Sequence, residues 1–578
     1  MNNMITKEKN VKILISLLKA HGIRNVVSSP GATNVAFIGS IQNDPFFKVY
    51  SSVDERSAAY IACGLAEESG EPVVISCTGA TASRNYLPGL TEAYYRKLPI
   101  LAVTSSQATM RVGHHIAQVI DRSLIQNDIA KLSVELPIVK DADDYWDCEI
   151  KINKAILELS RHGGGPVHIN LPTTYTLPFE KAELPDCRQI TRIDSTSQLP
   201  ELSGRIAVFI GAHKKWSIEE TEVLDQFCAT NDAVVFCDHT SGYHGKYRVQ
   251  FSLVASQDCF DFSVFKPDVL IHIGEVSGDY ASLKMFGSEV WRVNPDGEIR
   301  DTFRKLKHVF EMQEIDFFRS YIADNEACQN YYDSCQQILQ SAKQLVPELP
   351  LSNIWLAKNL AHKIPKNSFV HFGILNSLRS WNFFDIDKSV DTTSNVGGFG
   401  IDGVLSTLVG SSLVNPEKLY FCILGDLAFF YDMNVTGNRN VQNNVRILII
   451  NNGKGTEFRQ YNHNAAYFGE SADQHIAAAG HYGNKSKTLV KDYAQNLGFE
   501  YMTASTKEEV KSVSERFFVE GVTDKPMVFE VFTDSDEESL ALETIRNVVV
   551  DKGDRMKSTA KKLLGRKGIK AIKKVLRN

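Results

Sequence analysis

Asp426 and Asn452 stand at the ends of two short apolar runs, 419–424 and 445–450, each bounded by polar or glycine residues. Runs of that length, rich in aliphatic and β-branched side chains, read as fully buried parallel strands. In an open α/β sheet, ligands collect just beyond the carboxyl ends of the strands. If the two strands are neighbours, a carboxylate and an amide oxygen converge on one point. A hard divalent cation, Mg²⁺ above all, would accept both, together with a backbone carbonyl, water and phosphate oxygens. Such a site holds a diphosphate through its metal. Either half alone is ordinary, because Gly425-Asp426 after a strand and Asn451-Asn452-Gly453 as a turn are common. Their pairing after two such strands favours the site.

The elements that must position these residues alternate along the whole chain. Helical periodicity at 11–21, strands at 25–29 and 49–53, a small-residue helix at 57–68, a buried strand at 72–77, a helix running through Tyr95 and a strand at 100–104 read as a doubly wound sheet. It closes on a strand that leaves at Pro172, and the polar, proline-containing stretch 172–204 reads as a linker. Further strands are expected at 206–210, 233–237, 269–273 and 289–293, without a G-x-G-x-x-G, so a bound flavin or nicotinamide is not inferred and a structural role is favoured for this part. A charged helical connection at 315–365 leads to the part carrying Asp426. The expected fold class is therefore α/β: three consecutive, mostly parallel, doubly wound domains at 1–180, 190–345 and 350–545, followed by a basic amphipathic tail at 550–578. That tail suits an anionic membrane surface or an acidic partner, or simply solvent.

The 578 residues are 43% hydrophobic and 23% charged, with net charge −6 and a pI near 6.2. Nothing in that balance calls for nucleic acid. The polar start lacks a signal-peptide core, no run reaches membrane-spanning length, and the ten cysteines show no metal-like spacing, so a cytoplasmic protein with reduced thiols is expected.

Gly425-Asp426 and Asn451-Asn452 at this separation resemble the cofactor signature of thiamine diphosphate enzymes, with Leu427 where many members have glycine. The resemblance implies Asp426, Asn452 and the carbonyl of Lys454 as metal ligands, and Gly425, Leu427, Ser394 and Asn395 beside the cofactor. Asp54-Glu55-Arg56-Ser57-Ala58, at a strand end opening a helix, resembles the segment supplying the glutamate that activates the aminopyrimidine. On its own, Glu55 reads as an acidic residue favouring the first turn of a helix. Ile401, in Gly400-Ile401-Asp402-Gly403, falls where the family places the wedge that bends the cofactor. Because Glu55 and Asp426 come from different domains, the resemblance implies a homodimer or homotetramer with the cofactor at a subunit interface. It also implies pyrimidine-binding, central and diphosphate-binding roles for the three domains.

Several segments look like those of the menaquinone-pathway 2-succinyl-5-enolpyruvyl-6-hydroxy-3-cyclohexene-1-carboxylate synthases, including Ser29-Pro30-Gly31 and Leu405-Ser406-Thr407. The substrate positions depart from that pattern. Arginines that would clamp carboxylates of 2-oxoglutarate and isochorismate are replaced by Ala32-Thr33 and by Val396, and Arg379 stands out of register. Each lost charge-assisted bond is worth roughly 1.5–3 kcal/mol, so isochorismate is not expected as acceptor. His114, His115 and Gln118 partly resemble the histidine pair of simple decarboxylases and the glutamine of acetohydroxyacid synthases, and would handle substrate protons. They read equally as loop residues. Glu457 and Phe458 complete the substrate candidates, and Glu457 reads also as half of a surface ion pair.

The expected activity is decarboxylation of a small 2-oxo acid followed by transfer of the acyl carbanion to an acceptor, with thiamine diphosphate and Mg²⁺. A decarboxylase releasing an aldehyde and a non-catalytic scaffold protein are the alternatives.

Overall fold

Asn25–Ser28 (β1), Lys48–Ser51 (β2), Val73–Cys77 (β3), Ile100–Gln107 (β4), Leu132–Glu135 (β5) and Val167–Thr173 (β6) form a parallel sheet in the order β2-β1-β3-β4-β6-β5. The structure, a computed structural model, describes residues 4–122, 125–174, 179–322 and 326–549. It separates into two units, residues 1–199 with 296–311 and residues 200–295 with 312–578. The basic tail expected at 550–578 lies outside the described residues.

In the first unit, alternate residues of the strands feed two apolar layers. Val26, Val74, Leu101 and Val167 pack on one side with Lys9–Ala20 (α1), while Val27, Ile75 and Ala102 pack on the other with Glu55–Ser69 (α2) and Leu87–Arg96 (α3). Asp54 caps α2 by accepting from the Arg56 amide at 3.0 Å and the Ser57 hydroxyl at 2.7 Å, which fixes Glu55 as its first residue. The small side chains of α2 permit a close approach to α3: a Cβ on Gly89 would lie 2.4 Å from that of Ala59. The single helix expected to run through Tyr95 is divided at Tyr86 into Thr81–Asn85 and α3, with Pro88 at the new start, where its missing N–H costs nothing.

The stretch 172–204 differs from the expected linker. Phe179–Lys181 pairs antiparallel with Met4–Thr6, and Thr191–Ile193 pairs parallel with Leu306–Phe310. Ile190 and Ile193 are buried in this polar sequence, Ile190 against Leu306 and Val309, and supply the apolar surface a linker lacks.

The second unit holds two parallel arrays. Ile206–Ile210 (β7), Val234–Phe236 (β8), Arg248–Val249 (β9), Val269–Ile273 (β10) and Glu289–Val293 (β11) run in the order β9-β8-β7-β10-β11. Phe369–Phe372 (β12), Asp391–Ser394 (β13), Tyr420–Gly425 (β14), Val445–Asn451 (β15), Glu500–Ala504 (β16) and Met527–Phe532 (β17) run in the order β13-β12-β14-β15-β17-β16. This is the same winding as in the first unit's sheet. Val404–Ser412 packs its Val404, Leu405 and Leu408 onto Cys422, Leu424 and Ile447. Among the described residues no helix is long and apolar enough to cross a membrane.

Candidate active site

β14 and β15 are parallel neighbours, with Gly425 opposite Ile450. The order in which strands are added reverses between the parallel neighbours β12 and β14, the point at which crossover loops part and open a crevice at the carboxyl ends of such sheets. Asp426 follows β14 into a short helix, Asp426–Asp432, and is only 3% exposed. Gly453 takes a left-handed conformation (φ +75°), and its N–H points back to Asp426 Oδ2 at 3.2 Å. Burial, with the Glu530 charge adding to it, pushes the Asp426 carboxyl up to about 7.

The adjacent asparagines differ. Asn451 donates to Glu530 at 2.6 Å, and Glu530 is held from its other side by the Tyr501 hydroxyl at 2.8 Å. Asn452 Oδ1 is shut off from solvent and meets no hydrogen-bond partner among the described residues. A buried carboxylate in need of positive charge and a buried orphan amide oxygen fit a hard cation. The Lys454 carbonyl accepts from Thr456 N at 2.9 Å and keeps a second lone pair, while the Lys454 ammonium turns to Asp473 at 2.7 Å. Among the described residues no group of three His, Cys, Asp or Glu is gathered to hold a metal.

Beside these groups opens a cavity of about 240 Å³, lined among others by Gly425, Asp426, Leu427, Ile401, Glu457 and Phe458. Ile401, Leu427 and Phe458 give it apolar walls. Ser394 and Asn395 stay outside that lining. Asn395 donates to the Gly403 carbonyl at 3.3 Å and bonds Thr407 Oγ1 at 3.1 Å, which ties the loop carrying Ile401. Ser394 is buried at the end of edge strand β13, its hydroxyl without a partner among the described residues. Val396 is likewise buried rather than offered to a ligand; it packs where a Cβ on Gly278 would meet it at 3.1 Å.

A second cavity of about 250 Å³ in the same unit is lined by Tyr280, Lys284, Arg379, Phe399 and Arg546, and shares Leu375 with the first. Glu457 of the first lining pairs there with Arg379 of the second. Leu375 sits at φ +59°, a costly conformation for a branched side chain, at the start of the helix Asn376–Trp381.

In the first unit, Glu55 is half-buried and accepts from Asn85 at 3.3 Å. Burial first, and the Glu55 charge to a smaller degree, hold the neighbouring Cys77 thiol up to about 12. His114, His115 and Gln118 share one exposed loop, with Gly113, His115 and Gln118 at positive φ. Ala32 is exposed, but Thr33 is buried with its hydroxyl bonded to Thr78 at 2.7 Å and to the Ser105 carbonyl at 3.0 Å, leaving little for a substrate.

Sequence reasoning missed Glu538 and Arg122. Glu538 lines the first cavity and is buried, which pushes its carboxyl up to about 7. Arg122 anchors the far end of the histidine loop, donating to Asn170 at 2.7 Å. Neither lies in a recognisable motif. Glu538 is one acid among several in a helix's first turn, and only burial distinguishes it.

The N-terminal TPP binding domain of thiamine pyrophosphate enzymes matches residues 9–125. Three relatives are each called 2-succinyl-5-enolpyruvyl-6-hydroxy-3-cyclohexene-1-carboxylate synthase. That of Phocaeicola vulgatus is 30% identical over 573 residues, covering 93% of this chain and 98% of its own. Those of Bacteroides thetaiotaomicron and Bacteroides fragilis are 29% and 28% identical, each with the same coverage of both chains. With this likeness over nearly its whole length, the chain belongs to the thiamine pyrophosphate enzymes.

Proposed function

We propose that this enzyme decarboxylates a small 2-oxo acid and joins the resulting acyl unit to a second substrate, using thiamine diphosphate with Mg²⁺. The observation that supports this reading is the pair of cavities that share Leu375 in their lining, one of them beside Asp426 and Asn452, since a donor and an acceptor would need separate places. The synthase names of the relatives support bond formation over simple release. Thiamine diphosphate, when bound, supplies the carbon nucleophile and the electron sink that decarboxylation needs.

Asp426, Asn452 and the Lys454 carbonyl would hold the cation, and through it the diphosphate. Glu55 holds a proton at the pyrimidine ring, and His114, His115 and Gln118 move protons on the substrate. Ile401, Leu427 and Phe458 exclude water, which favours transfer over protonation. Two copies of the chain assemble, each lending Glu55 to its partner's Asp426.

Incubation with pyruvate, with and without carbonyl or activated-alkene acceptors, tests the reading. A joined product formed at the expense of aldehyde is expected. Aldehyde release undiminished by any acceptor would mean a plain decarboxylase.

A further inference from the structure

Arg379 offers a planar fork, and a carboxylate of this chain already fills it. Its Nη1 donates to Glu457 Oε1 at 3.2 Å and its Nη2 to Glu457 Oε2 at 2.6 Å, and Nη2 also reaches Asn376 Oδ1. This is the two-pronged geometry in which arginine holds a carboxylate best. The side chains are 29% and 21% exposed, so solvent screens the pair less than one on the open surface. Glu457 lines the first cavity, Arg379 the second, and Leu375 both.

The charges around the first cavity give the pair its meaning. Its lining brings the carboxyl groups of Asp426, Glu457 and Glu538, and against them the single ammonium of Lys454. Lys454 is committed to Asp473, as is Arg459 at 2.6 Å. Among the described residues, a 2-oxo acid with a second carboxylate at its far end would meet no uncommitted cationic side chain on this wall. To gain Arg379 it would have to expel Glu457, leaving that carboxylate part-buried and unpaired, a costly state.

We infer that Arg379 is a carboxylate clamp masked by Glu457, and that the mask makes the donor site select 2-oxo acids without a second carboxylate. The inference rests on the 2-oxo acid reading above. It makes Glu457 a specificity residue: remove its charge, and Arg379 becomes free for a dicarboxylate.

Glutarate and butyrate test this without turnover, since both lack the 2-oxo group and differ by the far carboxylate. Their binding is measured by calorimetry on the holoenzyme loaded with thiamine diphosphate and Mg²⁺. The wild type should bind glutarate no tighter than butyrate. Glu457→Gln, and independently Glu457→Ala, should raise the glutarate-to-butyrate affinity ratio by about tenfold or more. Adding Arg379→Met to Glu457→Gln should abolish the gain. A tenfold glutarate preference in the wild type, a ratio flat in both variants, binding undetectable throughout, or a gain that survives loss of Arg379 would overturn the masked clamp. Pyruvate turnover by the wild type keeps the two readings apart. If the ratio shifts but no 2-oxo acid is consumed, the donor selectivity falls with the proposed reaction. If pyruvate is consumed and the ratio stays flat, the clamp alone falls.

Discussion

Asn451 and Asn452 carry the same side chain side by side and face different tasks. The Asn451 amide is fixed by Glu530, while Asn452, which lines the same cavity as Asp426, keeps an oxygen without a hydrogen-bond partner among the described residues. Replacing Asn452 or Asp426 by alanine should therefore weaken cation-dependent retention of thiamine diphosphate by about a hundredfold, read by equilibrium dialysis with and without Mg²⁺. Asn451→Ala should instead lower stability, because it leaves Glu530 short of a donor. At Glu55, the isosteric Glu55→Gln should cut turnover by about a hundredfold or more while the protein still binds thiamine diphosphate. Asp426, Asn452 and Glu55 could be named as candidates from the sequence because the family signature they resemble lies in contiguous motifs. Thr33 and Val396 show the limit, since a substrate-facing position and a buried one read alike until burial is known.

Among the elements, the helix Ser535–Ile545 has a part in both stability and site. Its Glu538 accepts the Asn353 amide with both oxygens at 3.0 Å and the Thr533 hydroxyl at 2.9 Å, so it caps the helix Asn353–Leu360 from a neighbouring element. Burial raises its carboxyl from 4.5 to about 7, so the folded state resists its ionisation. For an acid raised in this way, the contribution to stability is whole below the unfolded value of 4.5 and is lost as pH climbs through about 7. Glu538→Gln should thus gain on the wild type by up to about 3 kcal/mol between about pH 5 and pH 8, measured by denaturant unfolding of the cofactor-free protein. An unchanged difference across that range would show that Glu538 is not held protonated. Periodicity located the strands 269–273 and 289–293 to the residue, because most of their side chains are aliphatic or aromatic and each run is bounded by polar or glycine residues, although His272, Glu289 and Arg292 interrupt them. It missed Phe179–Lys181 and Thr191–Ile193, three-residue pairings that local pattern is too short to reveal.

For the whole molecule, the decisive expectation is shared sites. If Glu55 of one copy serves Asp426 of its partner, then Glu55→Gln and Asp426→Ala proteins, each inactive alone, should complement when co-refolded. Random pairing gives half mixed dimers with one intact site each, hence about a quarter of wild-type specific activity. No recovery would place both residues of a site in one copy. The α/β class and the parallel sheets were legible from alternation alone. The division into two units was not, because residues 296–311 return to the first unit after a long excursion, and that return depends on contacts distant in sequence.

The repeated winding of the first and last sheets also affects how this chain reaches its native state. In both, the first strand of the sheet sits between the second and the third, so every ladder waits on a crossover. Pairings of that kind close slowly and leave apolar edges open meanwhile. Two sheets of one pattern, made of similar aliphatic strands, then offer each other plausible wrong neighbours within a chain or between chains. The expected weakness is kinetic: yield on renaturation should fall steeply with protein concentration, while the unfolding midpoint of the surviving molecules, brought to one fixed concentration, stays constant.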